Sequence, residues 1–405
     1  MGIDTHKEVH YGEIQDEKRN VLWHGRISVT MDGFLQLLEK IRTIEKSNSQ
    51  KIAGIYMNPT GNYHMTLKYF LEKNGFSGII HMVDARRTVH LRNMINLGKE
   101  KSDPEDAHVL ASTPFIDQQS LDRKDHERSP LSAITREMEI IQRNVTRITN
   151  HIQADITAVF PEFTSVMAID SKTGIAILEK YTTPGNIAKL DPEKLLKFMQ
   201  KNGRNHFDLE GAMRLVDLAM KSIGIPDPDG IYAFRIRMNV KRLKYEIAAL
   251  KTAEKEILTR SSGNKDIVHL TEMKGIGTVS AATIVSEIGN IEQFESAVKL
   301  QSYGGKAPDM SGSAGKVRAK GISRTRNSHL SNAVHESAVS LVLHRNHEFY
   351  ELFNREIMKK KSRTEAYIVV GKRLLFHVYS MMKNSRPYRE RKPGNRDRGR
   401  GSLPV

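Results

Sequence analysis

The sequence predicts an α/β domain followed by an all-α remainder, and three observations carry that prediction. Residues 1–115 alternate short β-rich runs with amphipathic stretches, the pattern of a sheet with crossover helices. Residues 130–262 contain two long heptad seams separated by a broken insert, and residues 267–384 form a further, mostly helical unit. The last segment, 385–405, has seven cations against two acids, several prolines and glycines, and no periodicity; it reads as a disordered basic tail.

Composition narrows the partners. The 405 residues include 63 Lys plus Arg against 47 Asp plus Glu, a formal net charge of +16, which points to a polyanion and most often to nucleic acid. There is no cysteine, which excludes disulfide scaffolds, thiolate zinc sites and a cysteine nucleophile, and fits a reducing cytosol. No apolar run approaches membrane-spanning length, so a membrane partner is not expected. The opening Met1-Gly2-Ile3-Asp4 is abrupt: if Ile3 ends a strand, the true start is expected upstream.

Within the first 115 residues, Val9 to Ile14 and Val21 to Ile27 look like paired strands, and Phe34 to Ile44 is an amphipathic helix with Leu37, Leu38 and Ile41 on one face. Lys51 to Met57 is a short strand that breaks at Asn58-Pro59-Thr60-Gly61. A helix from about Tyr63 to Lys73 and a strand from Ile79 to Val83 follow. Asp4 and Asn58 then both sit at strand ends, where ligands of such sheets gather. In Lys101-Ser102-Asp103-Pro104-Glu105-Asp106-Ala107, Ser102 and Glu105 have capping-box spacing, so a helix should begin there. Asp103 and Asp106 fall one turn apart on one face of it. Two carboxylates so placed suit Mg²⁺ or Mn²⁺, or are simply acids favoured by the positive end of a helix.

The first seam, in a helix from Leu131 to Val159, runs Ile134, Met138, Ile141, Val145, Ile148 and Ile152. The second, from Ile231 to Leu258, runs Ile236, Val240, Leu243, Ile247 and Leu250. They can pair as an antiparallel hairpin or mediate dimerisation. The insert between them, 160–230, is helical and broken at Thr183-Pro184-Gly185 and Pro226-Asp227-Pro228. Farther on, Lys274-Gly275-Ile276-Gly277 before an Ala-rich helix has the form of a helix–hairpin–helix turn, whose amides can approach phosphates, or of an ordinary tight turn. Tyr303 to Arg324 reads as a flexible, small-residue stretch with Ser311 and Ser313 among Lys316, Arg318, Lys320 and Arg324, and Arg326 close behind. Its serines are either nucleophiles or hydrogen-bond donors in a phosphate-gripping loop.

Taken together and in order, these stretches resemble the insertion-sequence 110-type transposases, the DEDD group that also contains the Piv DNA invertases. Gly2-Ile3-Asp4-Thr5-His6-Lys7 resembles the family's Gly-Ile-Asp-x-(Ser/His)-Lys opening, and Lys101 to Ala107 resembles its (Thr/Ser)-Asp-x-x-Asp-Ala. Asn58-Pro59-Thr60-Gly61-Asn62-Tyr63 stands where the family has Glu-Pro-Thr-Gly-x-Tyr. Tyr303-Gly304-Gly305-Lys306-Ala307-Pro308, Ser313 to Arg318 and Gly321-Ile322-Ser323 match its C-terminal motifs. The resemblance implies a RuvC-like (RNase H-type) N-terminal domain binding Mg²⁺ or Mn²⁺ through Asp4, Asn58, Asp103 and Asp106, and a helical C-terminal domain carrying a serine nucleophile. It further implies DNA as substrate, a structured guide RNA, assembly of several protomers, and a prokaryotic cytosolic, nucleoid-associated setting. Two departures stand out: Asn58 replaces the family glutamate, which predicts weakened metal binding, and the family's Ser-Gly reads Ser313-Ala314, with Ser311-Gly312 as the alternative register. A junction-resolving nuclease, needing only the acids, and an inactive nucleic-acid-binding protein are the rival expectations.

Overall fold

The computed structural model describes residues 1–59, 61–83, 88–89, 91–92, 95, 102–116, 129–203, 207–306 and 326–388, with the backbone of 308–313 and 316–322. Lys101, Thr60, Arg324 and most of the expected basic tail lie outside the described residues. The chain divides into two compact units, Met1–His126 and Glu127–Val405.

In the first unit, β1 (Gly2–Asp4), β2 (Val9–Gln15) and β3 (Val21–Ser28) form an antiparallel meander. Helix α1 (Met31–Asn48) leads to β4 (Ile55–Met57), which pairs parallel with β1. Thr30 caps α1 by accepting from the Gly33 amide, and Phe34, Leu37, Leu38 and Ile41 bury its apolar face. Helix α2 (Tyr63–Leu71), extended by a π-turn at Glu72–Phe76, leads to β5 (Ile80–Met82), parallel to β4. The sheet order is therefore β3-β2-β1-β4-β5, with β1 at the centre. The ladder of β4 begins at Ile55 rather than Lys51, because parallel pairing on both sides reaches only the last three residues of that run.

Helix α3 (Asp103–Ile116) lies against β1 at backbone distance. A Cβ on Gly2 would stand 2.1 Å from the Ala111 nitrogen and 2.3 Å from the Ala107 oxygen, so glycine is required for that approach. Ala107, Val109, Leu110 and Ala111 are buried in consequence.

The second unit opens with α4 (Leu131–Val159). A 3₁₀ turn at Pro161–Ser165 precedes four short helices: α5 (Lys172–Lys180), α6 (Pro184–Ile187), α7 (Pro192–Asn202) and α8 (Leu209–Met220). The long α9 (Ile231–Ser261) then returns along α4. The two run antiparallel, since Asn144 bonds Glu246 at 3.3 Å while Asp155 meets Arg235 at 2.9 Å. The seams face each other: Ile141, Ile148 and Ile152 are buried, as are Ile236, Val240 and Leu243. The short helices close one end around Phe160, Phe163, Leu178 and Leu195.

The remaining helices are α10 (Lys265–Thr271), α11 (Thr278–Ile288), α12 (Ala297–Tyr303), α13 (Ser328–Leu343), α14 (His347–Met358) and α15 (Arg363–Asn384). They surround a second core containing Ile284, Leu300, Val334, Leu341, Phe349 and Leu374. Ile134 and Met138, the first seam residues of α4, pack against this core and not the other. Arg136 anchors that junction by a two-point contact (2.5 and 2.7 Å) to Glu287, which is fully buried and also accepts from Asn327 at 2.7 Å. Between α12 and α13, β6 (Pro308–Ser313) and β7 (Lys316–Ile322) pair antiparallel. The stretch expected to be a flexible loop is thus a β-ribbon; its many Gly, Ser and Ala residues leave no alternating apolar pattern, since β-branched Val317 and Ile322 are an odd number of residues apart.

Two stability measurements follow. Ile152→Ala, at a fully buried seam position, should cost about 2–5 kcal/mol in urea unfolding, whereas exposed Asn150→Ala should change it by less than about 0.5 kcal/mol. Glu348 is half-buried, which by itself raises its pKa, but bonds from His377 (2.9 Å) and Arg373 (2.7 Å) outweigh this and hold it at about 2. Its stabilisation is full above the ordinary glutamate range and disappears as pH falls toward about 2. Glu348→Gln should therefore flatten the acid limb of the melting temperature against pH in that window.

Candidate functional site

The end of β1, the loop after β4 and the first turn of α3 converge on one buried carboxylate. Asp4 is only 3% exposed. Its Oδ1 accepts from the Asn58 side-chain nitrogen at 2.5 Å and its Oδ2 meets His6 Nε2 at 2.7 Å. His6 Nε2 also lies 3.3 Å from Asp103 Oδ1, so the imidazole bridges two carboxylates from different elements. Burial raises the Asp4 pKa, with Asp106 adding to the effect, against the opposing bonds from His6 and Asn58. Behind His6, the buried His10 accepts from the His6 amide at 3.1 Å; burial lowers its pKa to about 4, so it stays a neutral acceptor that fixes the His6 backbone.

Asn58 has a determined orientation. Its Oδ1 accepts from the Thr5 amide at 3.0 Å and from the Thr5 hydroxyl at 3.2 Å, while the same hydroxyl bonds the Asn58 carbonyl at 2.9 Å. A backbone N–H can only donate, so the amide oxygen must face Thr5 and its NH₂ must face Asp4. In this arrangement Asn58 offers Asp4 a donor and offers a cation nothing.

The two acids of α3 separate in role. Ser102 accepts from the Glu105 amide at 3.4 Å, which starts the helix where the sequence predicts. Asp103 is half-exposed and joins the His6 bridge, whereas Asp106 is buried and ion-paired with Arg92. The two carboxylates are met by different partners, Asp103 by the His6 imidazole and Asp106 by the Arg92 guanidinium. As a donor set, Asp4, His6 and Asp103 each present one atom within 4.8 Å of the others, which fits a single divalent ion. His6 and Arg92 are the residues sequence reasoning missed. His6 could have been found two residues beyond Asp4 in the opening motif; Arg92 has no local signal.

In the second unit, the Lys274–Gly277 turn joins α10 to α11. Gly275 adopts φ +108°, and a Cβ there would press on the Ser340 oxygen and the Leu341 Cα at 3.1 Å, so its glycine serves packing against α13. Ser340 reinforces the contact by donating to the Gly275 carbonyl at 2.6 Å. Gly277, by contrast, is exposed and caps α11 without a side-chain bond, and Lys274 is exposed beside it. In the ribbon, Ser311 is in register with Arg318 and Ser313 with Lys316, so each candidate serine position is paired with a cation position. At the ribbon's root Lys306 is buried; burial, with Arg326 adding, lowers its pKa to about 8, and its Nζ bonds the Ser331 carbonyl at 3.2 Å. Arg326 lies half-buried over Gly305, where a Cβ would overlap its Cδ.

A sheet-borne acid cluster with an acid-bearing helix across it, in a strongly basic chain, defines a nucleic-acid-processing class. The comparisons make the assignment specific. Residues 1–161 match the DEDD transposase model of the IS110 type, and residues 268–354 match the transposase model of the IS116/IS110/IS902 family. The insertion element IS110 43.6 kDa protein of Streptomyces coelicolor is 22% identical over 310 residues, covering 73% of this chain and 74% of its own. The IS116 44.8 kDa protein of Streptomyces clavuligerus is 22% identical over 317 residues, covering 76% and 75%. The chain belongs to the IS110-type family of insertion-sequence transposases. Among the described residues, no helix is long and apolar enough to cross a membrane.

Asn58→Glu should place a carboxylate where an amide now donates to Asp4. In chelator this should lower stability by about 1–3 kcal/mol, because a buried hydrogen bond becomes a like-charge contact. Millimolar Mg²⁺ or Mn²⁺ should restore it, with a larger rise in melting temperature than the parent shows. Equal metal-dependent shifts in both proteins would contradict the orientation argument.

Proposed function

We propose that this transposase cleaves and exchanges DNA strands with Mg²⁺ (or Mn²⁺) at the Asp4 centre, through a covalent serine–DNA intermediate formed by Ser313. The observation that carries this reading is the convergence of Asp4, His6 and Asp103 in one unit, together with a serine ribbon in cationic register in the other. A divalent cation held there would act as a Lewis acid on a phosphodiester oxygen and stabilise the charge that develops on it. The chain's own groups have separate tasks. Thr5 and His10 fix Asn58 and His6, and Arg92 neutralises Asp106. In the serine step, the Ser313 oxygen forms a bond to phosphorus, the sugar–oxygen bond to that phosphorus breaks, and the serine proton leaves with the sugar oxygen. The ester energy is kept, so the strand can be rejoined without a high-energy cofactor.

The β3-β2-β1-β4-β5 order, with an antiparallel first half and a parallel second half, supports a RuvC-like (RNase H-type) fold for the first unit. The exposed Lys274 and Gly277 at the start of α11 suit phosphate contact in a helix–hairpin–helix manner, and Lys316, Arg318, Lys320 and Arg326 suit DNA held along the ribbon. Guidance by a structured RNA and assembly into a dimer or tetramer belong to the same reading and are supported by the basic excess and the family. A second reading is favoured by Asn58: because its NH₂ satisfies Asp4 without a cation, this copy binds metal weakly and has reduced activity.

Covalent trapping tests both. The protein, RNA transcribed from its own flanks, junction-bearing DNA and Mg²⁺ are combined and resolved on a denaturing gel. The expected result is a protein–DNA adduct, lost in EDTA and in Ser313→Ala, and stronger by tenfold or more in Asn58→Glu. Loss in Ser311→Ala instead would move the nucleophile two residues back along β6. Cleavage that persists in both serine variants would replace the recombinase reading by a nuclease.

A further inference from the structure

The α4–α9 hairpin carries a basic strip that the sequence reading treats only as scaffold. On α4, Arg143, Arg147 and His151 recur every fourth residue, so they form one exposed ridge with steps of about 6 Å. On α9, Lys241, Arg242 and Tyr245 are exposed on the side that faces this ridge. The two sets line a groove of about 710 Å³ that contains Arg147, His151, Lys241, Arg242, Tyr245 and Glu246. A second, shallower groove of about 450 Å³ continues it past Arg143.

The pairing of charges on this hairpin is uneven. Several cations of the same two helices are ion-paired: Arg235 meets Asp155, Lys244 meets Glu179, Arg260 meets Glu256, and Arg143 at the end of the ridge meets Glu139. In the groove, Arg147 has only the Asn144 amide oxygen at 3.3 Å, and Lys241 and Arg242 have no carboxylate partner among the described residues. The one acid lining it, Glu246, is half-buried and accepts from Asn144. Like charges gathered around a concavity repel one another unless a polyanion occupies it. Tyr245 is 74% exposed at the edge of this groove, so its ring is open to a stacking partner.

From this we infer that the groove between α4 and α9 binds a single-stranded segment of nucleic acid, with Arg147, Lys241 and Arg242 on its phosphates and Tyr245 stacked on an unpaired base. Cations that track a backbone beside an exposed aromatic are the combination that favours unpaired strands over duplex. The site shares no residue with the acid cluster, the α11 turn or the serine ribbon, and it needs neither metal nor cleavage.

The test is fluorescence anisotropy in EDTA with the full chain, labelled 20-nucleotide RNA and DNA single strands of one mixed sequence, and the corresponding DNA duplex. The triple variant Arg147→Gln, Lys241→Gln, Arg242→Gln should weaken single-strand binding at least tenfold. It should also reduce the slope of log affinity against log salt by about 2. The control Lys194→Gln, Lys197→Gln, Lys201→Gln removes the same charge from exposed positions of α7 and should cost less than threefold. Tyr245→Ala should weaken single strands by about tenfold and the duplex far less, with melting temperature unchanged. A larger loss on the RNA or the DNA strand identifies which one the groove takes. The proposal is overturned if the triple variant binds no worse than the control, or if Tyr245→Ala affects strand and duplex alike. Because no metal is present, either failure leaves the covalent-trapping result untouched.

Discussion

Asp4 ends the central strand of its sheet with its carboxylate out of reach of bulk water, and a buried charge must be paired or protonated. Everything near it answers to that constraint. His6 bridges it to Asp103, Asn58 donates to its other oxygen, and Thr5 prevents Asn58 from turning round. Asp106, which would otherwise add a second buried negative charge, is taken by Arg92. The close approach of α3 to β1 at Gly2 brings the first turn of the helix, with Asp103 and Asp106, to the end of the strand that carries Asp4.

This gives the Asn58 substitution a physical meaning beyond the loss of one negative charge. A glutamate in that place would oppose Asp4 and create a demand for a cation. The asparagine removes the demand and meets Asp4 with a hydrogen bond instead. The position thus supports either a site held open by repulsion or a self-satisfied network, and the exchange of a carboxylate for a shorter carboxamide separates them. Asp4, His6 and Asp103 still converge, so the capacity for a divalent ion persists on the His6 side.

In the second unit the long helices spend their heptad seams on each other, yet the seam is not uniform. Its middle faces α9, while Ile134 and Met138 enter the core built by α10 to α15. The Arg136–Glu287–Asn327 contact ties the start of α4 to the helices that carry the serine ribbon. The hairpin's outer surface is left free of packing duty, and its cations collect there.

Periodicity, turn chemistry and charge are local properties, and they were legible without coordinates. The sequence alone determined the α/β-then-helical order, both seams and their ends within a few residues, the helix start at Ser102, and the basic excess that implies a nucleic-acid partner. It also brought forward Asp4, Asn58, Asp103 and Asp106 as one set. Only the tertiary structure decided how that set divides: which carboxylate His6 bridges, that Arg92 occupies Asp106, and which end of the Asn58 amide faces Asp4. It likewise made Ser311 and Ser313 part of a ribbon, and drew Arg147 and Lys241, 94 residues apart, to one groove. The reason is the same in each case: a partner distant in the chain leaves no periodic trace, and pairing is chosen by geometry that exists only once the elements have packed.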